Sequence, residues 1–290
     1  MMDAAWEFAE LETVYAHYKP LSPFGRESRE RREIFSRAER IAFEHDCIEL
    51  ALAFLKKSPD TAAKAEFHLK NIPLLDVSRP VLADLSEIFL YKKLLYHVRG
   101  LDKVLPPSFK KKTGFKWASS ALLQRLQLGG GGETFYLADN YSEKLKRARA
   151  AVLGLGRELE RERRTGYALL KQRFGIDFSA RQFVLIEDTK AAALKHGGLL
   201  YLERYDADKM LVKPVQTQRM IALSSEYEKL VKAEKVAERD VLSELAVRLG
   251  KEQVLLAGYV AALEKLDTAL AKARLALEFG LTRPRFRMEG

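Results

Sequence analysis

Between Arg181 and Arg219 the chain carries Lys190, Lys195, Arg204, Lys209 and Lys213, in a stretch composed like strands and turns rather than like a helix. Cations spread in this way, with Arg219 at the border, can lie along a phosphate backbone. Such contacts give binding that ignores sequence and weakens with salt. Glu187, Asp188, Glu203, Asp206 and Asp208 share the stretch and largely offset the cations. A mildly basic, solvated surface is therefore the competing reading.

Other residues capable of chemistry are less well arranged. His45-Asp46-Cys47 has the side chains of a nucleophilic relay, but neighbours on a helix point in different directions and cannot hydrogen-bond in series. The histidines His17, His45, His68, His97 and His196 never stand three or four residues apart; helical metal sites need that spacing, so structural or surface roles are expected. The glycine run 129–132 continues as Glu133-Thr134. It lacks the Lys-Ser or Lys-Thr pair and the preceding strand of a phosphate loop, which makes it a linker. Gly154-Leu155-Gly156, inside a helical pattern, fits close packing or a local bend. No Gly-x-Ser-x-Gly motif is present, and no nucleophile, base and oxyanion site assemble, so no enzyme activity is expected. Glu158, Glu160 and Glu162 alternate with Arg157, Arg161, Arg163 and Arg164, as on the ion-paired face of an exposed helix.

The elements around the basic stretch follow from periodicity. Tyr141, Leu145, Ala148, Val152, Leu155 and Leu159 step by four and three, a heptad seam on a helix predicted from Ser142 to about Phe174. Gly175 turns the chain. Residues 182–187, 198–204 and 210–215, beginning with Phe183-Val184-Leu185-Ile186, are expected strands. Turns are expected at His196-Gly197 and Asp206-Ala207-Asp208. A helical return over about 224–249 and 251–279, interrupted at Gly250, carries Leu256, Tyr259, Leu263, Leu266 and Leu270.

Upstream, residues 1–19 read as an amphipathic helix with Trp6, Phe8, Leu11, Val14 and Tyr15 on one side, interrupted by Pro20 and Pro23. Residues 26–57 form a helix that is solvated around Arg26–Arg32 and buried around Ile48 to Leu55. Asp60 caps a helix through Lys70, and Asn71-Ile72-Pro73 breaks it. Pro80 opens a strong helix containing Leu82, Leu85, Ile88, Phe89, Tyr91, Leu94, Leu95 and Val98. Pro106-Pro107 and Lys110-Lys111-Lys112 form a connector, and a helix from about Trp117 to Leu128 leads to the glycines. Phe135-Tyr136-Leu137 is a short extended piece.

The expected fold is mainly α, a helical core with long antiparallel helices carrying a small β-rich tip. Its parts are a helical region 1–134, an outgoing helix 135–182, a β-rich segment 183–219 and a return 220–290. A chain of 290 residues with formal net charge +10 can hold two domains and favours a polyanionic partner, nucleic acid or an anionic surface. Cys47 is its one cysteine, so no intrachain disulfide or Cys-based zinc site can form, and a reducing, cytoplasmic setting fits. The N-terminus is mixed and acidic, unlike a signal peptide, and no stretch reaches the roughly 18–20 apolar residues of a membrane span.

In this order the motifs resemble the MutS family of DNA mismatch-recognition ATPases. The segment from Phe135 through Ala138-Asp139-Asn140-Tyr141 to Leu145 is similar to the family's entry into its first lever helix, an acidic-Gly-Tyr-x-x-x-Leu pattern, with Asn140 where glycine is usual. Arg219 onward, with Glu226-Tyr227-Glu228-Lys229-Leu230 and Ala233-Glu234, is similar to the segment leaving the clamp, without the proline that follows there. Leu266-Asp267 through Arg283-Pro284 resembles the family's approach to its ATPase. The resemblance covers about 135–286. It implies a lever-and-clamp module that contacts duplex or branched DNA without sequence preference through Lys190, Lys195, Lys209, Lys213, Arg204 and Arg219. ATP and Mg would belong to an ATPase in a full-length parent; no cofactor is expected in this chain. The Phe-x-Glu mismatch wedge has no counterpart, so the chain reads as a fragment or a short relative. The family's role is DNA mismatch repair, but without the wedge mismatch specificity does not carry over, and handling branched or recombining DNA, or encircling duplex, is expected instead. A homodimer is a further possible partner. The alternative is a coiled-coil scaffold without DNA binding, favoured if an apolar stripe on the arms is exposed.

Overall fold

The computed structural model describes residues 11–31, 35–132, 134–192, 194 and 198–284. Trp6 and Phe8, Arg32, Lys195 and the His196-Gly197 turn lie outside the described residues. In chain order the elements are helices α1 (Leu11–Tyr15), α2 (Pro23–Glu30), α3 (Ala38–Lys57), α4 (Pro59–Asn71), α5 (Leu85–Val104), α6 (Pro107–Thr113) and α7 (Ser120–Leu126). There follow α8 (Glu143–Phe174), strand β1 (Val184–Glu187), α9 (Asp188–Ala192), β2 (Leu200–Arg204), β3 (Lys209–Pro214), α10 (Gln218–Lys251) and α11 (Gln253–Phe279). The protein is mainly helical with one small antiparallel sheet among the described residues. It divides into two compact units, Met1–Ala138 with Leu242–Gly290, and Asp139–Val241.

In the first unit α11 packs against α2 and α3, and α4 packs against α5. Leu256, Tyr259, Leu263, Leu266 and Leu270 of α11 and Ile88, Tyr91, Leu94, Leu95, Val98 and Leu101 of α5 are all buried. Each buried side chain of this size contributes about 1.5–3 kcal/mol of transfer free energy.

Several helix boundaries differ from the sequence expectation, each for a local reason. Pro23 does not interrupt a helix but begins α2, because the Ser22 hydroxyl caps it by accepting from Gly25 N at 3.1 Å. The single helix expected over 26–57 is instead two, α2 and α3, with residues 35–37 outside helix. Asp60 lies in the first turn of α4 rather than at its cap, a position taken by Ser58. Pro80 does not open α5. Asp84 does, accepting from Ser86 N at 2.9 Å and Glu87 N at 3.1 Å, while Glu87 accepts from Leu82 N at 3.2 Å. The Asp84 cap, with Glu87 holding the preceding segment, fixes the helix start here rather than the proline. Pro106-Pro107 with the lysine run is not a mere connector: residues 107–113 form α6, closed by Gly114 in the left-handed region at φ 75°. The helix expected from Trp117 to Leu128 is shorter, α7 followed by a 3-10 turn at Gln127–Gly129. The return helix passes through Gly250 and breaks at Glu252 instead.

The glycine run is tied down rather than a free linker. Lys92 of α5 is fully buried, and its ammonium donates to the carbonyls of Gly130 and Thr134 and lies 5.8 Å from the Phe135 ring centroid.

In the second unit α8 ends at Gly175, at φ 70° with its N–H on Lys171 O, as its helical period predicts. The sheet order is β1-β3-β2, with Val184 opposite Val212 and Leu202 opposite Val212 on the other side. The strands fall within two residues of those expected. Asp206 makes the hairpin turn by accepting from Asp208 N and Lys209 N at 2.9 and 2.7 Å. Leu200 and Val212 join Leu170 and Phe178 in a buried cluster edged by Tyr167, Phe174, Val184, Ile186 and Leu202. One face of the sheet thus rests on the C-terminal end of α8.

Candidate nucleic-acid interface

Side chains alternate across a strand. With Val212 of β3 inside, Lys209, Leu211 and Lys213 fall on the opposite face. The register adds Glu187 opposite Lys209, Leu185 opposite Leu211, and Tyr201 opposite Lys213. This outer face carries exposed Leu185 and Tyr201, two lysines and the carboxylates of Glu187 and Glu203.

The basic residues expected to form the site have different surroundings. Lys190 lies in α9 and pairs with Glu187 at 3.1 Å. Lys213 pairs with Glu203 at 3.9 Å. Arg204 is folded over its own hairpin, donating to Asp206 O at 3.3 Å and Ala207 O at 2.9 Å. Lys209 is exposed and has no carboxylate in ion-pair range among the described residues. Arg219 is on α10, where it reaches Glu158 at 3.3 Å and Glu162 at 3.6 Å on α8. The sheet therefore gathers Lys190, Lys209 and Lys213, turns Arg204 onto the hairpin, and leaves Arg219 with the helices. Lys195 is outside the described residues. The carboxylates that pair with Lys190 and Lys213, Glu187 and Glu203, are exposed, and exposed ion pairs contribute only about 0–1 kcal/mol. A phosphate can displace them at little cost.

The α8–α10 pair is laced by charge. Lys144 meets Asp240 at 2.7 Å, and Arg149 meets Asp139 at 3.0 Å, Glu234 at 3.3 Å and Glu238 at 2.7 Å. Partner numbers fall on α10 as they rise on α8, so the helices run antiparallel. A Cβ at Gly156 would sit 3.2 Å from the Tyr227 ring, so this glycine permits close approach. The seam residues Ala148, Val152, Leu155 and Leu159 are only half-buried.

Sequence reading assigned Arg157, Arg161, Arg163 and Arg164 together to a paired face. The structure separates them. Arg163 and Arg164 share Glu160, whereas Arg157 and Arg161 have no ion-pair partner among the described residues and line a groove of about 620 Å³ floored by Val152, Gly156 and Tyr227. Spacing alone could not sort them, because Glu158 and Glu162 are drawn away by Arg219 on another helix.

Asp46 and Cys47 of the His45-Asp46-Cys47 triplet do not form a relay. Asp46 binds Lys112 and Arg283, each at 2.8–2.9 Å, and the Lys112 and then the Arg283 hydrogen bond hold its pKa below the usual carboxylate value. Burial, then the Glu44 charge, pushes the Cys47 thiol up to about 11. A buried thiol of that kind is a poor nucleophile. Among the described residues no group of three or more His, Cys, Asp and Glu could hold a metal, and no helix is long and apolar enough to cross a membrane. No protein-family model and no curated protein matches the chain.

Proposed function

We propose that the chain is a DNA-binding module of the MutS-like kind. In this reading α8 and α10 act as lever arms and the three-stranded sheet is a clamp that grips the phosphate backbone of duplex or branched DNA. The observation that carries it is the sheet's outer face, where Lys209 and Lys213 project beside Lys190 of α9, with exposed carboxylates as their only competitors among the described residues. Arg157 and Arg161 on α8 add two cations to the same unit. The arms would pass movement to the ATPase that the resemblance implies for a parent protein; this chain supplies no nucleotide site of its own in that scheme.

The test is binding to fluorescent duplex and branched DNA across a salt series. Wild-type affinity is expected to fall steeply with salt. Changing Lys190, Lys195, Lys209 and Lys213 together to Glu is expected to weaken low-salt binding by about 100-fold or more, because every released counterion is lost and four repulsions are added. Unchanged affinity in the quadruple variant would refute the clamp.

A second reading is a scaffold that recruits a partner helix or a second copy of itself. Leu153, Leu169, Ile221 and Val236 favour it, being apolar and exposed on α8 and α10. No DNA binding at low salt, together with a concentration-dependent mass in sedimentation, would select it.

A further inference from the structure

In the first unit, His68 of α4 and His97 of α5 are far apart in sequence, yet their Nδ1 atoms lie 3.1 Å apart. The approach requires Gly100: a Cβ there would fall 2.2 Å from His68 Cε1 and 2.3 Å from Nε2. His68 thus lies flat against α5 where any other residue would push it off. Tyr96 supports the pair edge-on, its ring centroid 6.4 Å from His68 and 5.2 Å from His97.

Beside this contact is a pocket of about 340 Å³ lined by His68, Tyr96, Arg99, Gly100, Lys103 and Gln127 along with Val104. Arg99 and Lys103 are one turn apart on α5 and so share a face. Neither has an ion-pair partner among the described residues, and no carboxylate lines the pocket. The nearby acids are engaged elsewhere, Asp102 by Lys110 at 2.9 Å and Glu66 by Arg274 at 2.7 Å. A guanidinium, an ammonium, an imidazole and a carboxamide around one concavity, without a counter-charge, is the donor set for a tetrahedral oxyanion.

We propose that this pocket binds a phosphate monoester or inorganic phosphate, held by Arg99 and Lys103, with the His68 ring as a wall and Gln127 beside it. His97 stays neutral, its pKa lowered to about 4 by burial, then by His68 and Lys93. It therefore orients His68 without placing a positive charge behind it. The site is separate from the sheet surface and does not depend on the DNA reading.

The probe is inorganic phosphate, titrated at constant ionic strength against a chloride control. The His68 Cε1–H resonance is followed in the intact chain and in Arg99→Gln/Lys103→Gln, whose fold is checked by circular dichroism. A saturable shift with phosphate, absent with chloride and weakened about tenfold or more in the double variant, is expected from loss of two charge-assisted donors. No saturable shift, an equal shift with chloride, or an unchanged affinity in the variant would overturn the assignment. A parallel arm compares an oligonucleotide with and without a 5′-phosphate. Tighter binding of the phosphorylated strand that is lost in the variant places the phosphate on a nucleic-acid end. Equal binding, with phosphate still recognised, places it on a small molecule.

Discussion

Replacing Asp267 by alanine is expected to be among the most destabilising single changes in the first unit, at about 3–5 kcal/mol. Its carboxylate is fully buried on α11 and accepts from Leu21 N at 3.0 Å, Ser22 N at 2.6 Å and Ser22 Oγ at 2.7 Å. Alanine would leave those buried donors without a partner, and each costs its desolvation free energy. It would also release the Ser22 hydroxyl that caps α2. Thermal unfolding should drop by about 10 °C or more. Gly25→Ala attacks the same network from the other side, since its Cβ would lie 2.2 Å from Asp267 Oδ2 and 2.8 Å from Pro20 Cβ. The two changes share one contact, so the double variant should be clearly less destabilised than the sum of the singles. Additive losses would mean that the network is not the cause. Burial holds the Asp267 pKa above the ordinary carboxylate value despite its donors. The folded state therefore favours the protonated form, and the stabilising contribution is greatest below the unfolded pKa and lost as pH rises through the folded one. The stability gap between the wild type and Asp267→Asn should accordingly narrow from acid to neutral pH.

Phe178→Ala should have a comparable effect in the second unit, about 3–5 kcal/mol. Phe178 is 1% exposed and packs with Leu170, Leu200 and Val212, its ring centroid 6.0 Å from that of Tyr167. The four buried residues are a small core, edged only by partly buried side chains such as Tyr167, Phe174, Ile186 and Leu202, so a cavity at its centre is costly. Hydrogen exchange should quicken across Val184–Glu187, Leu200–Arg204 and Lys209–Pro214 together, because the strands share this one support. If exchange quickened only beside residue 178, the sheet would be held by its ladder and not by the cluster. Under the proposed clamp reading, loss of the β3 register would also displace Lys209 and Lys213 and weaken DNA binding.

The long helix α8, its glycine cap, the three strands and the Asp206 turn were legible because each is written in contiguous residues, by heptad spacing, alternation or a local side-chain acceptor. Two of the misread helix starts set a proline against a side-chain cap. Ser22 and Asp84 offer acceptors that fix a helix start, whereas Pro80 offers only a permissive φ. What sequence could not supply was any pairing across long separations: Lys92 with Gly130, His68 with His97, or Asp267 with Ser22. No periodicity encodes them, since they arise when helices with unrelated patterns pack. The lysines of the candidate interface were identifiable by type, but not by face. A register shift of one residue would have turned Lys209 and Lys213 inward, and only strand pairing decides that.

The glycine loop over Lys92 has a consequence for covalent reactivity. The amine is roofed by the carbonyls it holds, so amine-directed acylating reagents should modify the exposed lysines and leave Lys92 intact. Burial lowers its pKa below the ordinary lysine value while the loop is closed; when the loop lifts, that burial is relieved and the amine becomes accessible to the reagent like a surface lysine. Acylation of Lys92 would remove the charge that the two carbonyls require and hinder the loop from closing again. Its extent of labelling, read by mass spectrometry, would therefore act as an irreversible counter of loop openings, and should track temperature and denaturant well before the helices around it melt.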